Sequence, residues 1–133
     1  MILLDTSALA KLLVEERESP ALRAELSSRD AAGEEFAIST MAVIELRRLA
    51  LRLAIGPELV EPVIRPFRVL RLTEGMLQLA GRIPYRQLGT LDAVHVATAL
   101  VAEAKGVMTY DARQAEAARS EGLLVECPGS SGL

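Results

Sequence analysis

The sequence has 133 residues, a length that fits one domain with a hydrophobic core of its own. Half of the residues are hydrophobic, and the formal net charge of −3 excludes an overall basic field that would attract nucleic acid. The single cysteine, Cys127, excludes an intrachain disulfide and a cysteine-rich zinc site and fits a reducing cytoplasm. The longest nearly apolar run, 93–102, is too short to cross a bilayer, so we expect no membrane partner.

Short apolar runs alternate with helical patterns along the whole chain. The predicted elements are strand 2–4, helix 8–13, helix 20–28, strand 36–38, helix 41–54, helix 58–64, strand 69–72, helix 74–83, helix 91–104, strand 107–109, helix 111–121 and strand 123–125. Thr90 is the predicted cap of the nearly all-apolar helix, and Gly106 is its predicted C-terminal glycine. This alternation predicts an α/β sandwich with a mostly parallel sheet. Residues 1–128 form the predicted domain, and 129–133 read as a disordered tail.

Aspartate is rare in this chain, and four acids occupy positions that invite inspection. Asp5 and Asp111 each follow a predicted strand, Asp92 begins the apolar helix, and Glu45 lies at the border of an apolar helical face. Each has a local explanation as well. These explanations are a helix cap at Asp5 or Thr6, a capping box of Asp111 with Gln114, a helix-dipole contact for Asp92 and a helical pair of Glu45 with Arg48.

The four acids are also expected to meet at one edge of the sheet. Two come from the carboxyl ends of strands, and two come from helices that pack against that edge. Carboxylates crowded into a partly buried cleft either bind protons more tightly or bind cations. Lys11 and Lys105 are the only lysines, and neither is placed to neutralise the cluster. A hard divalent cation, Mg²⁺ or Mn²⁺, is the natural counter-charge, and such a site suits phosphodiester hydrolysis.

Four motifs occur in the order of a known family. They are Leu4-Asp5-Thr6-Ser7-Ala8-Leu9, the stretch from Ser39 to Leu46, Leu91-Asp92-Ala93-Val94-His95-Val96-Ala97-Thr98-Ala99 and Met108-Thr109-Tyr110-Asp111. In this order the chain resembles the PIN domain, and more narrowly the VapC-type toxins of toxin–antitoxin pairs. The resemblance implies a PIN-like three-layer sandwich, with a parallel sheet of four or five strands between helices. It also implies a metal-dependent endoribonuclease that acts on transfer or ribosomal RNA.

The resemblance assigns a role to each site residue. Asp5 and Asp92 would be the main metal ligands, and Asp111 would complete the cluster directly or through water. Glu45 would hold a second metal or orient the attacking water. The supporting polar positions are Thr6, Ser7 and Thr109. Thr6 or Ser7 would hydrogen-bond the ligating carboxylates and take over the helix cap from Asp5.

The resemblance further implies a homodimer and an antitoxin whose arginine-bearing tail enters the acidic cleft. Arg47, Arg48 and Arg52 either guide RNA or form an ordinary solvated helix face. His95, set in an apolar helix, fits a core position better than a general base. Cys127 has no partner motif.

Three other functions compete with this assignment. A haloacid-dehalogenase-like phosphatase also starts with an aspartate after a strand, but it needs a second aspartate where Ser7 stands and a late catalytic lysine. A PIN nuclease that is not a toxin and a non-catalytic PIN-like module for RNA processing or binding both remain open. The intact set of acids favours catalysis over the binding module.

Overall fold

A five-stranded sheet with helices on both faces forms the protein, as seen in a computed structural model that describes residues 1–132. The strands are β1 (Ile2–Leu4), β2 (Phe36–Ser39), β3 (Arg68–Leu70), β4 (Gly106–Met108) and β5 (Leu124–Glu126). The helices are α1 (Thr6–Leu13), α2 (Ser19–Ala31), α3 (Thr40–Arg52), α4 (Pro57–Ile64), α5 (Glu74–Ala80), α6 (Thr90–Val101) and α7 (Ala112–Ser120). None of the helices within residues 1–132 has the length and apolar character needed to cross a lipid bilayer.

The sheet confirms the predicted sandwich. Its strand order is β3-β2-β1-β4-β5, and every neighbouring pair is parallel. The chain builds outward from β1 to β3 on one side and then crosses to β4 and β5 on the other. Such a reversal of strand order opens a crevice at the carboxyl ends of the central strands, where α/β proteins bind ligands. The end of β1 therefore lies at the position in the fold that favours a site.

Two hydrophobic clusters cover the two faces of the sheet. Ile2 and Leu4 of β1 point to the face that α1, α2, α3 and α4 cover, whereas Leu3 points to the face that α6 and α7 cover. All three side chains are completely buried. A strand buried on both faces reads as a continuous apolar run, which explains why the start of the sequence shows no polar alternation.

The predicted ends of the apolar helix α6 were wrong. Gly89, not Thr90, is the N-cap residue, and Thr90 is the first helical residue. The helix ends at Val101, and Gly106 opens β4 instead of terminating the helix. A Cβ atom on Gly106 would lie 2.5 Å from the carbonyl oxygen of Leu124. Glycine is needed there because two strands approach closely, not because a helix ends.

The segment after Pro128, which the sequence predicts to be disordered, begins with a turn. The Tyr110 hydroxyl donates to the Pro128 carbonyl at 2.7 Å, and the Ser130 N–H donates to the Cys127 carbonyl at 3.0 Å. Leu133 lies outside the described residues. The domain boundary at residue 128 stays a prediction.

Candidate active site

The four predicted acids gather at the carboxyl edge of the sheet. Asp5 follows β1, and Asp111 follows β4, the strand that pairs with it. Glu45 lies on α3, which follows β2, the other neighbour of β1. Asp92 occupies the first turn of α6, and its pKa responds to the charges of the other three acids. The fold therefore places these four acids at the same edge of the sheet, and their joint role as a site stays a prediction.

The Asp5 carboxylate is the most enclosed of the four, with 3% of the residue exposed. Its Oδ1 accepts hydrogen bonds from the Ser7 hydroxyl at 2.7 Å and from the Ala8 N–H at 3.0 Å. Its Oδ2 accepts from the Thr109 hydroxyl and, at 2.9 Å, from the Gln114 side-chain amide. Burial raises the pKa of Asp5 above its ordinary value, although the bonds from Thr109 and Ser7 oppose that rise.

Asp5 also caps α1, so the prediction that Thr6 or Ser7 takes over the cap was wrong. Asp5 has extended backbone angles, and its Oδ1 accepts the Ala8 N–H, as an N-cap residue does. Thr6 is the first helical residue instead. A carboxylate offers about four acceptor positions, so capping and further hydrogen bonds coexist on one side chain.

Two hydroxyls tie Asp5 to the loop that follows β4. The Ser7 hydroxyl oxygen accepts the Tyr110 N–H at 2.8 Å, and the Thr109 hydroxyl oxygen accepts the Asp111 N–H at 3.0 Å. Because each hydroxyl accepts a backbone N–H, its own proton is available for Asp5. The supporting hydrogen bonds expected of Ser7 are present, and Thr109 provides a second set. Together they join the end of β1 to the start of α7.

Glu45 is held through one oxygen only. Both the Thr6 hydroxyl and His95 Nε2 donate to its Oε1, the latter at 2.8 Å. Burial pushes the pKa of Glu45 upward, but the hydrogen bonds from His95 and Thr6 outweigh it and hold the pKa below its ordinary value. Glu45 thus faces Thr6 and His95, not Arg48. His95 is a core residue, as its apolar helix suggested, but it also contacts the site.

Replacing Thr6 with valine is expected to destabilise the protein at neutral pH and to make its stability less dependent on pH in acid. Since the pKa of Glu45 is lowered in the folded state, its stabilising contribution is present above the ordinary value of 4.5 and is lost as the pH falls through the folded value. Removing the Thr6 donor raises that folded pKa and costs about 1 kcal/mol at pH 7. Urea unfolding should therefore show a larger difference between wild type and variant at pH 7 than at pH 4. In a cycle with Glu45→Gln, the Thr6 effect should shrink; full additivity would contradict the coupling.

The pKa of Asp92 is the one that the other acids of the cluster raise. Burial raises its pKa first, and the charge of Asp111 adds to the rise; Asp5 and Glu45 contribute smaller increases, and His95 opposes them. An excess of negative charge that no described basic group fully offsets is the condition under which a cation is bound.

The chemical type of these ligands fits a hard divalent cation, but they are not assembled around one. Among residues 1–132, no three histidine, cysteine, aspartate or glutamate side chains stand close enough to enclose a metal ion. Both oxygens of Asp5 and Oε1 of Glu45 are engaged by protein donors. No hydrogen bond contributes to the pKa shift of Asp92. Asp111 accepts one hydrogen bond from the Gln114 N–H, at 3.0 Å, through its Oδ1 atom. Carboxylate oxygens of this kind suit Mg²⁺ or Mn²⁺.

Gln114 is the site residue that the sequence did not reveal. Its position relative to Asp111 predicted a capping box, and the backbone half of that box is present. Its side chain, however, turns away to Asp5. The other buried residues of α7 are all alanines, namely Ala115, Ala117 and Ala118. A single glutamine on such a face was the available signal, since a buried amide needs a partner.

Comparisons with known proteins agree with this fold. Residues 2–120 match the PIN domain family. The chain is 36% identical over 134 residues to ribonuclease VapC47 of Mycobacterium tuberculosis (strain CDC 1551 / Oshkosh), covering 98% of each chain. It is 35% identical over 130 residues to ribonuclease VapC46 of the strain ATCC 25618 / H37Rv, covering 96% of this chain and 97% of that one.

A solved structure gives the same result for the architecture. VapBC2 from Rickettsia felis, bound to a DNA fragment from its promoter, superposes with a TM-score of 0.73 at 15% identity, covering 96% of this chain and 99% of the matched one. The chain belongs to the PIN-domain family. Its curated relatives at 35–36% identity are VapC ribonucleases, which confirms the resemblance drawn from the four motifs.

Proposed function

We propose that this protein is a metal-dependent endoribonuclease and the toxin of a VapBC-type toxin–antitoxin pair. The observation that carries the proposal is the convergence of Asp5, Glu45, Asp92 and Asp111 at the carboxyl edge of a PIN-family sheet. The ribonuclease names of relatives that match nearly the full chain support the activity. A transfer or ribosomal RNA is the proposed substrate.

Each acid has a distinct task in this proposal. Asp92 and Asp111 offer oxygens that no protein donor fully occupies, and with Asp5 they would hold the cation. When bound, Mg²⁺ or Mn²⁺ eases the deprotonation of a water and neutralises charge on the scissile phosphate. Glu45 is fixed through Oε1, so its Oε2 is the atom left to orient that water or to bind a second cation. Ser7 and Thr109 keep the Asp5 carboxylate in place.

A protein with a net negative charge needs local positive charge to bind RNA. The bound cation would supply part of this charge, and we propose that the arginines of α3 supply the rest. Arg48 and Arg52 are exposed on that helix, whereas Arg47 forms an exposed ion pair with Glu61 at 3.2 Å. Such a pair contributes little to stability, so Arg47 can exchange Glu61 for a phosphate at small cost.

The proposed partners follow from the toxin assignment. The VapBC2 neighbour is a toxin–antitoxin protein, and we infer a cognate antitoxin for this chain as well. We also infer a homodimer in the cytoplasm. Ile44 and Leu51 lie on one face of α3 and are 52% and 68% exposed. Exposed aliphatic side chains at helical spacing provide apolar surface for such an association.

Cleavage of purified RNA with controlled cation content tests the activity. The wild-type protein should cut RNA with Mg²⁺ or Mn²⁺ and should lose activity in EDTA. Asp5→Asn should reduce the rate by at least about 10³-fold, because it weakens a ligand of the cation. Asp30→Asn is the matched control, since Asp30 is exposed on α2 and is the one aspartate outside the cluster. RNA binding without cation-dependent cleavage would instead indicate a binding module.

A further inference from the structure

The Asp5 carboxylate has no acceptor position left for a cation. A carboxylate has about four lone-pair positions, and Asp5 uses them for Ser7, Ala8, Thr109 and Gln114. Direct coordination by Asp5, which the proposed function requires, therefore needs one of these donors to leave. The question is which donor is the least constrained.

Three of the four donors are fixed by other bonds. The Ala8 N–H belongs to the first turn of α1, and its donation to Asp5 is the helix cap. The Ser7 hydroxyl accepts the Tyr110 N–H, and the Thr109 hydroxyl accepts a backbone N–H in the same loop. Moving any of these groups would also break either the cap of α1 or a hydrogen bond to a backbone N–H of the loop after β4. None of the three is free to leave alone.

Gln114 is held differently. Its Nε2 donates to Asp5 Oδ2 at 2.9 Å, while its Oε1 is buried without a hydrogen-bond partner among the described residues. The amide orientation follows from charge, because the reverse assignment would place Oε1 against a carboxylate oxygen. The residue is completely buried, so no bulk water takes the place of a partner. Its side-chain amide thus depends on the single bond to Asp5.

We propose that Gln114 is the exchangeable donor of this site: it occupies Asp5 Oδ2 in the cation-free protein and gives that oxygen up when a divalent cation binds. The inference rests on the proposed function, because it assumes that Asp5 coordinates the cation directly. Gln114 is a positioning residue, since it acts through its bond to Asp5. Its bond to Asp5 competes with the cation and weakens cation binding.

Mn²⁺ affinity tests the competition without any use of catalysis. Gln114→Met conserves volume and removes the donor, and it should tighten Mn²⁺ binding by about tenfold, as expected for a hydrogen bond to a charged group. Free Mn²⁺ measured by electron paramagnetic resonance gives the affinity. Gln78→Met, the same change on the exposed surface of α5, is the control and should leave the affinity unchanged. Gln114→Leu provides a second donor-free variant if the methionine variant does not fold.

The wild-type protein offers a direct second measurement. The sequence contains three glutamines and no asparagine, so its nitrogen–proton correlation spectrum holds only three side-chain amide pairs. Titration with Mg²⁺ should shift the Gln114 pair, identified by its absence in Gln114→Met, and should leave the Gln78 pair in place. Unchanged or weaker Mn²⁺ binding by Gln114→Met, or a Gln114 pair that stays in place at saturating Mg²⁺, would overturn the inference alone. A wild-type protein that binds no Mn²⁺ would overturn the cation-dependent function as well.

Discussion

Replacing Asp92 with asparagine is expected to abolish RNA cleavage and, at the same time, to stabilise the cation-free protein. The pKa of Asp92 is raised by burial and by the charge of Asp111, so the folded protein binds this proton more tightly than the unfolded chain does. Stability therefore falls as the pH rises from the ordinary value of 3.8 through the folded pKa, and the ionised group is destabilising at neutral pH. Asparagine removes that charge. The expected gain is about 1 kcal/mol, seen as a rise of a few degrees in Tm.

The two readouts together distinguish a site residue from a structural one. Cleavage should fall by at least about 10³-fold, because a cation ligand is lost. Asp30→Asn should change neither the rate nor the thermal midpoint. An Asp92→Asn protein that still cleaves RNA would contradict the proposed role of Asp92. One that loses both cleavage and stability would show that Asp92 supports the fold and not the chemistry.

Replacing Leu4 with alanine is expected to give the largest loss of stability among single changes near the site. Leu4 is fully buried at the end of β1, directly before Asp5, and belongs to the cluster beneath α1 and α3. Loss of its side chain leaves a cavity in a region too constrained to collapse, so the free energy of unfolding should fall by about 2 to 5 kcal/mol. Urea denaturation at constant pH gives this value.

The matched control for the core change is Leu124→Ala on the edge strand β5. Leu124 is 63% exposed, so the same truncation should alter the free energy of unfolding by no more than about 0.5 kcal/mol. Similar losses in the two variants would mean that β1 does not lie in the core as described. An unchanged Mn²⁺ affinity in the folded Leu4→Ala variant would show that the loss of stability comes from core packing and not from a displaced cation ligand.

The architecture was readable from the sequence because its signals are local and repeated. Short continuous apolar runs such as Ile2–Leu4 predict strands that are buried on both faces. Because helical patterns separate these runs, the strands are expected to form a parallel sheet. The order of the strands was not readable, since it depends on contacts between distant segments. Helix ends were also less certain. At Gly106 the close approach of Leu124 decides the residue, and nothing adjacent in sequence reports it.

The positions of the four acids could be predicted from the sequence, but the donors that hydrogen-bond them could not. Asp5 and Asp111 stand where strands end, and parallel strands end at one edge. Which donors fill each carboxylate depends on side-chain directions across the fold. The bond from Gln114 to Asp5 joins residues 109 positions apart, and the bond from His95 to Glu45 joins residues 50 apart. Local patterns assigned both donors to their own helices instead.

Mapping of RNA ends after induced expression is the measurement that tests the central claim in the cell. Cells that express the wild-type protein should stop growing and should accumulate new RNA ends at defined positions in transfer or ribosomal RNA. Cells that express Asp92→Asn at the same level should grow and should lack those ends. Growth arrest with the same new ends in both strains would contradict the claim that the four-acid cluster around Asp5 is a ribonuclease active site.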